Sequence, residues 1–193
     1  MIINLIDPEN LQNAPEAARY LLGAHIIRTL EDGTILEAKI VETEAYHQDD
    51  PASHTYGGQT KRNEAMFGPA GRAYIYFTYG MHWCFNVTAG PEGRGEGVLI
   101  RAAEPIKGAQ RMQRFRKVKD KKQLMNGPAK LAQALTIQHN LYGHNLQRDP
   151  LKIVSGGTTS IQDIMLAPRI GISKGANELL RFYITGSPYI SKK

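Results

Sequence analysis

Alternating apolar and polar positions in the first half of the chain predict β-strands joined by tight turns. Residues 25–30 and 34–46 flank Glu31-Asp32-Gly33, a combination typical of a β-hairpin. Further strands are predicted at residues 72–79, 82–88, 97–103, 151–154 and 179–185. One helix is predicted at residues 15–22, with Gly23 as its stop. A second opens at Asn126-Gly127-Pro128, with Asn126 as the N-cap, and continues to about residue 137.

The order of these elements predicts the fold class. Most connections are short, no internal repeat or linker divides the chain, and the regular strand–helix–strand alternation of a parallel sheet is not seen. We therefore expect one α+β domain over residues 1–193, with a mainly antiparallel curved β-sheet, an open barrel or roll, and flanking helices.

Two carboxylates follow the apolar positions of the strand at 34–46. Because side chains alternate along a strand, one face is predicted to carry Leu36, Ala38, Ile40, Glu42, Glu44 and Tyr46. Either the strand emerges into solvent near Glu42, or it presents a carboxylate at the mouth of a pocket. Tyr46 favours the pocket, since an aromatic ring beside Glu44 suits a reaction in which a flat ring is held. For Glu42 we expect a structural ion pair rather than catalysis.

Aromatic residues are concentrated in one stretch of the chain. Residues 74–86 contain six aromatic residues and a histidine. Core packing is the default explanation for any one of them. Tyr79, however, immediately precedes Gly80, and an aromatic residue at a glycine-bounded turn is a candidate protruding tip. Such a side chain can fill the hole that an extruded nucleotide leaves in a base stack.

Charge and composition narrow the classes of function. The net charge of +6 and the pI near 9.4 indicate, weakly, a polyanionic partner. The basic run from Lys107 to Lys122 is either a solvated helix and loop or a surface that faces phosphates. A single cysteine, no apolar run of about 20 residues and no signal-peptide pattern favour a cytoplasmic protein without a membrane span. The histidines lack ligand-like spacing, so no metal is expected.

Several short segments match one enzyme family, in order and over nearly the whole chain. They are Val41-Glu42-Thr43-Glu44-Ala45-Tyr46, His54, Arg62-Asn63, Met66-Phe67, Tyr74-Ile75-Tyr76, Tyr79-Gly80-Met81, Cys84-Phe85-Asn86, residues 99–105, residues 127–131, Arg181-Phe182-Tyr183 and Gly186-Ser187-Pro188. On these residues the chain resembles the alkyladenine (3-methyladenine or methylpurine) DNA glycosylases. It departs from them in a segment between Tyr46 and His54 that is one residue shorter than in some relatives, and in His82, where relatives often have an aromatic residue.

The resemblance implies a role for each matching position. Glu44 corresponds to the general base that deprotonates the attacking water, with Arg101 and the backbone carbonyl of Ile170 as the other groups that hold this water. The remaining implied roles are base-pocket walls at Tyr46, His54 and Tyr76, exclusion of guanine by Asn86, and intercalation by Tyr79 with Met81 and His82. Contacts with the DNA backbone are expected at Arg62, at Lys130 near the predicted helix start, and at Arg111 and Arg114 if the basic run faces phosphates. The basic run matches the family only loosely, and the helix is equally well explained as an ordinary capped core helix.

The implied activity is that of a monofunctional DNA glycosylase that initiates base excision repair. Its partner would be double-stranded DNA containing alkylated or deaminated purines, with 3-methyladenine and 7-methylguanine as substrates. Neutral lesions such as hypoxanthine or ethenoadenine gain less from stacking. No residue calls for a cofactor, and a carboxylate that activates water predicts no AP-lyase step. We expect a monomer, since one domain can do this work, and a cytoplasmic or, in a bacterium, nucleoid-associated location. Composition alone also allows a catalytically silent nucleic-acid-binding module, or a hydrolase or transferase acting on a free nucleoside or a tRNA-linked group.

Overall fold

A computed structural model describes residues 4–78, 80–157 and 159–192 of the chain. The strands in these residues are β1 (His25–Thr29), β2 (Ile35–Tyr46), β3 (Ala73–Thr78), β4 (His82–Thr88), β5 (Gly97–Lys107), β6 (Gln147–Arg148), β7 (Leu151–Val154), β8 (Ile164–Ala167) and β9 (Arg181–Ile184). The α-helices are α1 (Ala14–Tyr20), α2 (Ala109–Arg116) and α3 (Pro128–Ala134). The described helices are all too short or too polar to span a membrane.

The strands form one antiparallel, curled sheet. Its main path runs β3-β4-β5-β2-β1-β7-β6, and β9 and β8 branch from it at β2. The branch exists because β1 pairs with β2 only over residues 35–39, after which β9 pairs with Glu42, Thr43 and Glu44. The predicted α+β class with a mainly antiparallel curved sheet and flanking helices is confirmed.

Most of the predicted strands are present with small changes in their ends. β4 and β7 have the predicted bounds, and β9 is shorter than the predicted 179–185. β5 extends to Lys107 rather than residue 103, because the long β2 continues to pair with it as far as Glu37. Pro105 is accommodated beside a register shift in this ladder. Strands β6 and β8 were not predicted; each lies at an end of the sheet and has little periodicity of its own.

The helices begin at different residues from those predicted. The side chain of Asn13 caps α1, which starts one residue early, at Ala14. The prediction of Asn126 as the N-cap of α3 is wrong, because Asn126 forms a β-bridge with Ala102 and its side chain accepts a hydrogen bond from Lys130. Gly127 therefore precedes the helix, without a side-chain cap. In the basic run, residues 109–116 form α2, which packs beside α3.

The alternation of side chains in β2 is interrupted where the two carboxylates begin. The pairing of β2 with β5 shifts register between Ile40 and Thr43. Ala45 then joins the same hydrophobic core as Leu36, Ala38 and Ile40, and Thr43 donates a hydrogen bond to Ala18 of α1. The prediction that Glu42 and Glu44 share the face of those apolar residues is therefore wrong. The irregularity turns the carboxylates to the other face.

The alternative in which β2 emerges into solvent near Glu42 is also wrong. Glu42 and Glu44 are both 0% exposed. Glu44 pairs across the sheet with Leu99 of β5, which lines a cavity, and it accepts a hydrogen bond from the segment that contains Ile170. The fold thus places two carboxylates in a dry environment, where each needs donors or an opposite charge.

Candidate active site

A cavity of about 390 Å³ opens beside the carboxylate end of β2. This volume is in the range of small-molecule pockets. Its walls come from β3, β4 and β5, from residues 46–54 and from residues 170–172. Aromatic and apolar side chains predominate, and Arg62 and Arg101 add positive charge to the lining.

The carboxylate of Glu44 lies directly behind this lining and accepts three hydrogen bonds from residues of the cavity wall. The Tyr46 hydroxyl donates to Oε2 over 2.8 Å, and Nη1 of Arg101 donates to the same oxygen over 3.2 Å. The backbone N–H of Ile170 donates to Oε1 over 2.7 Å. Burial and the adjacent carboxylate raise the pKa of Tyr46, so its phenol keeps the proton that it donates. Such donors stabilise an ionised carboxylate.

Glu42 has its own set of partners. Nη1 of Arg181 lies 2.9 Å from Oε1, and Nε of Arg101 lies 3.4 Å from the same oxygen. The backbone N–H of Ser191 donates to Oε2 over 2.5 Å, and its hydroxyl donates to Oε1. The ion pair predicted for Glu42 is present, with Arg181 and Arg101 as its partners. Arg101 therefore bridges both acids, so two carboxylates and two guanidinium groups form a buried cluster without net charge.

Three of the predicted or matching aromatic positions meet on one side of the cavity. The rings of His54 and Tyr76 have centroids 4.5 Å apart and an edge-to-face geometry. Tyr74 stacks on Tyr76, with centroids 5.6 Å apart, and its hydroxyl lies 2.8 Å from Nδ1 of His54. Partial burial, with the charge of Arg62 as the smaller effect, lowers the pKa of His54 below its ordinary value, so the neutral ring is favoured. Tyr46 also lines the cavity.

Asn86 and Cys84 are neighbours in the lining on β4. The side-chain amide of Asn86 donates to the carbonyl of Tyr74 over 3.0 Å, which fixes the orientation of the amide. Cys84 is 4% exposed, and burial raises the pKa of its thiol. Sequence reasoning gave no role to Cys84 or Tyr74, although both lie in segments that carry the resemblance.

Met81 and His82, two of the three predicted intercalating residues, lie at the tip of the β3–β4 hairpin. Thr78 pairs with His82, so the connection is only residues 79–81, and Gly80 has a positive φ of 64°. Met81 is 68% exposed, and His82 is exposed beside it. Tyr79, the predicted wedge, lies outside the described residues. At the base of the tip, Phe77 and Trp83 pack together with centroids 4.6 Å apart.

The four predicted DNA-backbone residues do not form one cluster. Arg62 lines the cavity, with its guanidinium 5.9 Å from the centre of the Tyr76 ring. Lys130 lies in α3, two residues after the cavity-lining Pro128. Arg111 pairs with Asp32 over 2.7 Å at the β1–β2 turn, and Arg114 is exposed on the same helix. Helix α2 packs against the start of β2, roughly 30 Å along that strand from Glu44.

Arg169 and Asp50 form a buried pair next to the site that sequence reasoning did not assign. The guanidinium of Arg169 pairs with the carboxylate of Asp50 and lies 4.6 Å from the centre of the Tyr46 ring. An arginine immediately before Ile170, in a segment already matched, was the available signal. Among the described residues, no group of three or more His, Cys, Asp or Glu side chains has an arrangement that could hold a metal ion.

Comparison with known proteins gives matches over most of the chain. Residues 9–188 match the model of a family described as methylpurine-DNA glycosylase. A protein of Carboxydothermus hydrogenoformans is 51% identical over 177 residues, which cover 91% of this chain and 92% of that protein. A protein of Methanoculleus marisnigri is 46% identical over 179 residues, which cover 91% of this chain and 92% of that protein. One of Chlorobaculum parvum is 44% identical over 177 residues, with coverage of 91% and 85%. Each relative bears the name "Putative 3-methyladenine DNA glycosylase".

Proposed function

The chain belongs to the methylpurine-DNA glycosylase family, and from this premise we propose that it excises alkylated purines from duplex DNA by hydrolysis of the N-glycosidic bond. The resemblance read from the sequence is thus confirmed at the level of the family. The observation that carries the proposal is the buried Glu44 carboxylate, held behind an aromatic cavity by Tyr46, Arg101 and the N–H of Ile170.

The hydrogen bonds of Glu44 support its role as the general base. A carboxylate offers about four acceptor positions. Two donors already reach Oε2 and one reaches Oε1, and we propose that a water molecule entering from the cavity takes the remaining acceptor position on Oε1. The water would give its proton to Glu44 while its oxygen bonds to C1′ of the sugar. The electron pair of the broken C1′–N bond would leave with the base.

The ion pairs of Glu44 and Glu42 with Arg101 and Arg181 bear on the positive charge that develops on the sugar during the reaction. Glycosidic cleavage develops positive charge on the sugar. Arg101 pairs with both Glu42 and Glu44, and Arg181 pairs with Glu42; we propose that the Glu44 carboxylate also acts as counter-charge to the sugar. We assign Arg101 and the backbone of Ile170 to holding the water. The N–H of Ile170 donates to Glu44. We propose that the carbonyl of Ile170, the group predicted from the resemblance, accepts a hydrogen bond from the water.

The aromatic walls support capture of a flat, cationic base. We propose that an alkylated purine is turned out of the duplex and stacks between Tyr46 on one side and Tyr76 and His54 on the other. A cationic base such as 3-methyladenine or 7-methylguanine would gain about 0.5–2 kcal/mol per face from cation–π attraction. A neutral His54 adds no repulsion to such a base. Hypoxanthine and ethenoadenine lack the charge and gain less.

Selectivity and insertion belong to the same proposal. We propose that the amide of Asn86, which donates to the carbonyl of Tyr74 and lines the cavity, disfavours normal guanine through a clash with its 2-amino group. The same clash would fall on 7-methylguanine, whose cationic base offsets it by leaving more readily. Met81 and His82 at the exposed hairpin tip, with Tyr79, would fill the gap left in the stack. The carboxylate–water design needs no lysine Schiff base, so the product would be an uncut abasic site and the enzyme monofunctional.

The decisive experiment replaces Glu44 with glutamine. Glu44→Gln keeps the shape of the side chain and removes the base, so we expect the single-turnover rate of base release to fall by about 100-fold or more. Binding to a 7-methylguanine duplex should be largely retained. Release is measured as alkali-sensitive strand breaks at the abasic product.

A matched control is Glu31→Gln, the same chemical change at an exposed turn position, which should excise at the wild-type rate. Near wild-type release by Glu44→Gln would overturn the assignment of Glu44. Base release by the wild type from free nucleosides but not from duplex, or binding without release, would overturn the proposed activity.

A further inference from the structure

Arg169 makes an unusual set of contacts for a side chain that does not line the cavity. Its side chain is 0% exposed. Nη1 donates to the carbonyl of Ala45 over 3.0 Å and pairs with the buried carboxylate of Asp50. The guanidinium carbon lies 4.6 Å from the centre of the Tyr46 ring. Since Tyr46 lines the cavity and Arg169 does not, the guanidinium covers the part of that ring turned away from the cavity.

The same residue is connected to Glu44 from two directions along the backbone. Ala45, whose carbonyl accepts from Arg169, lies between Glu44 and Tyr46. Ile170, the next residue after Arg169, donates its N–H to Glu44 over 2.7 Å. Asp50 in turn accepts from the backbone N–H of Ala52, which lines the cavity. The guanidinium of Arg169 therefore contacts the Tyr46 ring, the Ala45 carbonyl next to Glu44 and the carboxylate of Asp50, and its own residue precedes Ile170.

The burial of Arg169 is incompletely compensated. Its Nε and Nη2 find no hydrogen-bond acceptor in the described part of the chain, and Glu178 lies 3.9 Å from Nη2, beyond hydrogen-bond distance. A buried ion pair with unsatisfied donors is often less stabilising than well-packed apolar side chains of the same size. This arrangement is poorly explained by stability alone, whereas a requirement for a fixed geometry at Tyr46 and Glu44 explains it.

We propose that Arg169 is a positioning residue for base excision, which holds the Tyr46 ring from behind and fixes the Ile170 N–H on Glu44. The proposal rests on the proposed function. Arg169 touches neither the base nor the water, and it acts through Tyr46, Ala45 and Ile170. Its contribution therefore belongs to the rate of the bond-breaking step in the bound complex and much less to the affinity for the duplex.

The test compares Arg169→Lys and Arg169→Met with the wild type in single-turnover excision from a 7-methylguanine duplex at saturating enzyme. Lysine keeps the charge but lacks the planar, forked donors that stack on Tyr46 and reach two acceptors. Because small misplacement of reacting groups can cost about 100-fold, we expect both variants to lose about 10- to 100-fold in rate. Binding to a duplex with a stable abasic-site analogue should change much less.

Arg94→Met is the matched control. Arg94 pairs with Asp49, the neighbour of Asp50, over 2.7 Å and with Glu96 over 2.7 Å, and the Arg94 side chain is 47% exposed. Its loss should leave the rate unchanged. Urea unfolding of each variant sets an assay temperature at which all are folded. If Arg169→Met does not fold, Asp50→Asn removes the charged partner of Arg169 and tests the same positioning.

The outcomes separate the two proposals. Slow excision by folded Arg169 variants beside an active wild type and an active Arg94→Met supports the positioning role. Wild-type rates at saturation in Arg169→Lys and Asp50→Asn, with only a lower urea midpoint, would show a merely structural role and overturn it. Failure of the wild type itself to release base would overturn the proposed function instead.

Discussion

Glu42 and Glu44 are two residues apart in β2, yet the fold surrounds their carboxylates with different hydrogen-bond partners. Glu42 is enclosed by Arg181, Arg101 and the Ser191 backbone and hydroxyl, so its acceptor positions are committed to structure. Glu44 accepts hydrogen bonds from Tyr46, Arg101 and Ile170, all of which line the cavity. The sequence pattern favoured a carboxylate at a pocket without excluding a strand that emerges into solvent. The difference between the two acids depends on which arginine and which chain segment approach each one.

Cys84 provides a residue-scale prediction because it is the one cysteine of the chain. It is 4% exposed, and burial raises its pKa, so the reactive thiolate is scarce at pH 8. We expect labelling by an aromatic disulfide reagent to be slow in the native protein at pH 8 and fast in urea. Since Cys84 lines the cavity, a saturating lesion-bearing duplex should slow native labelling further.

The control for this measurement is an undamaged duplex of the same sequence at the same degree of saturation. It covers the surface without leaving a base in the cavity, so it should protect Cys84 less. Equal protection by both duplexes would contradict occupancy of the cavity by an extruded base.

At the scale of elements, the β3–β4 hairpin connects the cavity to the exposed surface. Tyr74 and Tyr76 of β3 line the cavity, and the same strand leads to the tip where Met81 is exposed. The two-strand ladder is regular from Ala73 to Thr78, so the position of the tip relative to the cavity is fixed by the pairing of β3 with β4. The alternation pattern predicted both strands. The predicted strands left only residues 80 and 81 between them, whereas β3 ends at Thr78.

Met81→Ala tests the tip. Because Met81 is 68% exposed, the free energy of unfolding should change by less than about 0.5 kcal/mol. If its side chain is buried on insertion into the duplex, affinity for a lesion duplex should fall by about tenfold or more. Fluorescence anisotropy gives the affinity and urea unfolding gives the stability.

Ile161→Ala is the comparison, since Ile161 is 76% exposed in a short turn outside the hairpin. It should alter neither quantity appreciably. Unchanged affinity in Met81→Ala would argue that the described tip does not enter the base stack.

At the scale of the molecule, the curled sheet brings distant segments to one end of β2. Residue 44 meets residue 101, 57 positions away, and residue 170, 126 positions away. The cavity lies at this end, whereas α2 and the β1–β2 turn lie toward the other. The positive charge of the chain is therefore divided between residues that border the cavity, such as Arg62, and residues that are far from it.

The salt dependence of duplex binding shows which of these basic residues contact DNA phosphates. Each phosphate that the protein neutralises contributes about 0.9 to the slope of the logarithm of affinity against the logarithm of salt concentration. We expect Arg62→Gln to reduce the slope by about this amount, because Arg62 borders the cavity. The same measurement on Arg111→Gln, Arg114→Gln and Lys130→Gln tests the other backbone contacts that the sequence analysis expects.

Arg148→Gln serves as the control, since Arg148 is exposed in β6, the last strand of the main sheet path. Its slope should equal that of the wild type. A slope that Arg62→Gln leaves unchanged would exclude a phosphate contact at the cavity mouth.

The amino-acid sequence by itself determined the strands with clear alternation, the turns marked by glycine, the family resemblance and, through it, the choice of Glu44. These features depend on local preferences or on residues that stand together in the chain. The tertiary structure alone decided that β2 changes its buried face after Ile40, that Arg101 bridges two carboxylates, and that Arg169 packs behind Tyr46. Such contacts depend on the register of paired strands and on loops that return from more than a hundred residues away, and periodicity along the chain carries no information about either.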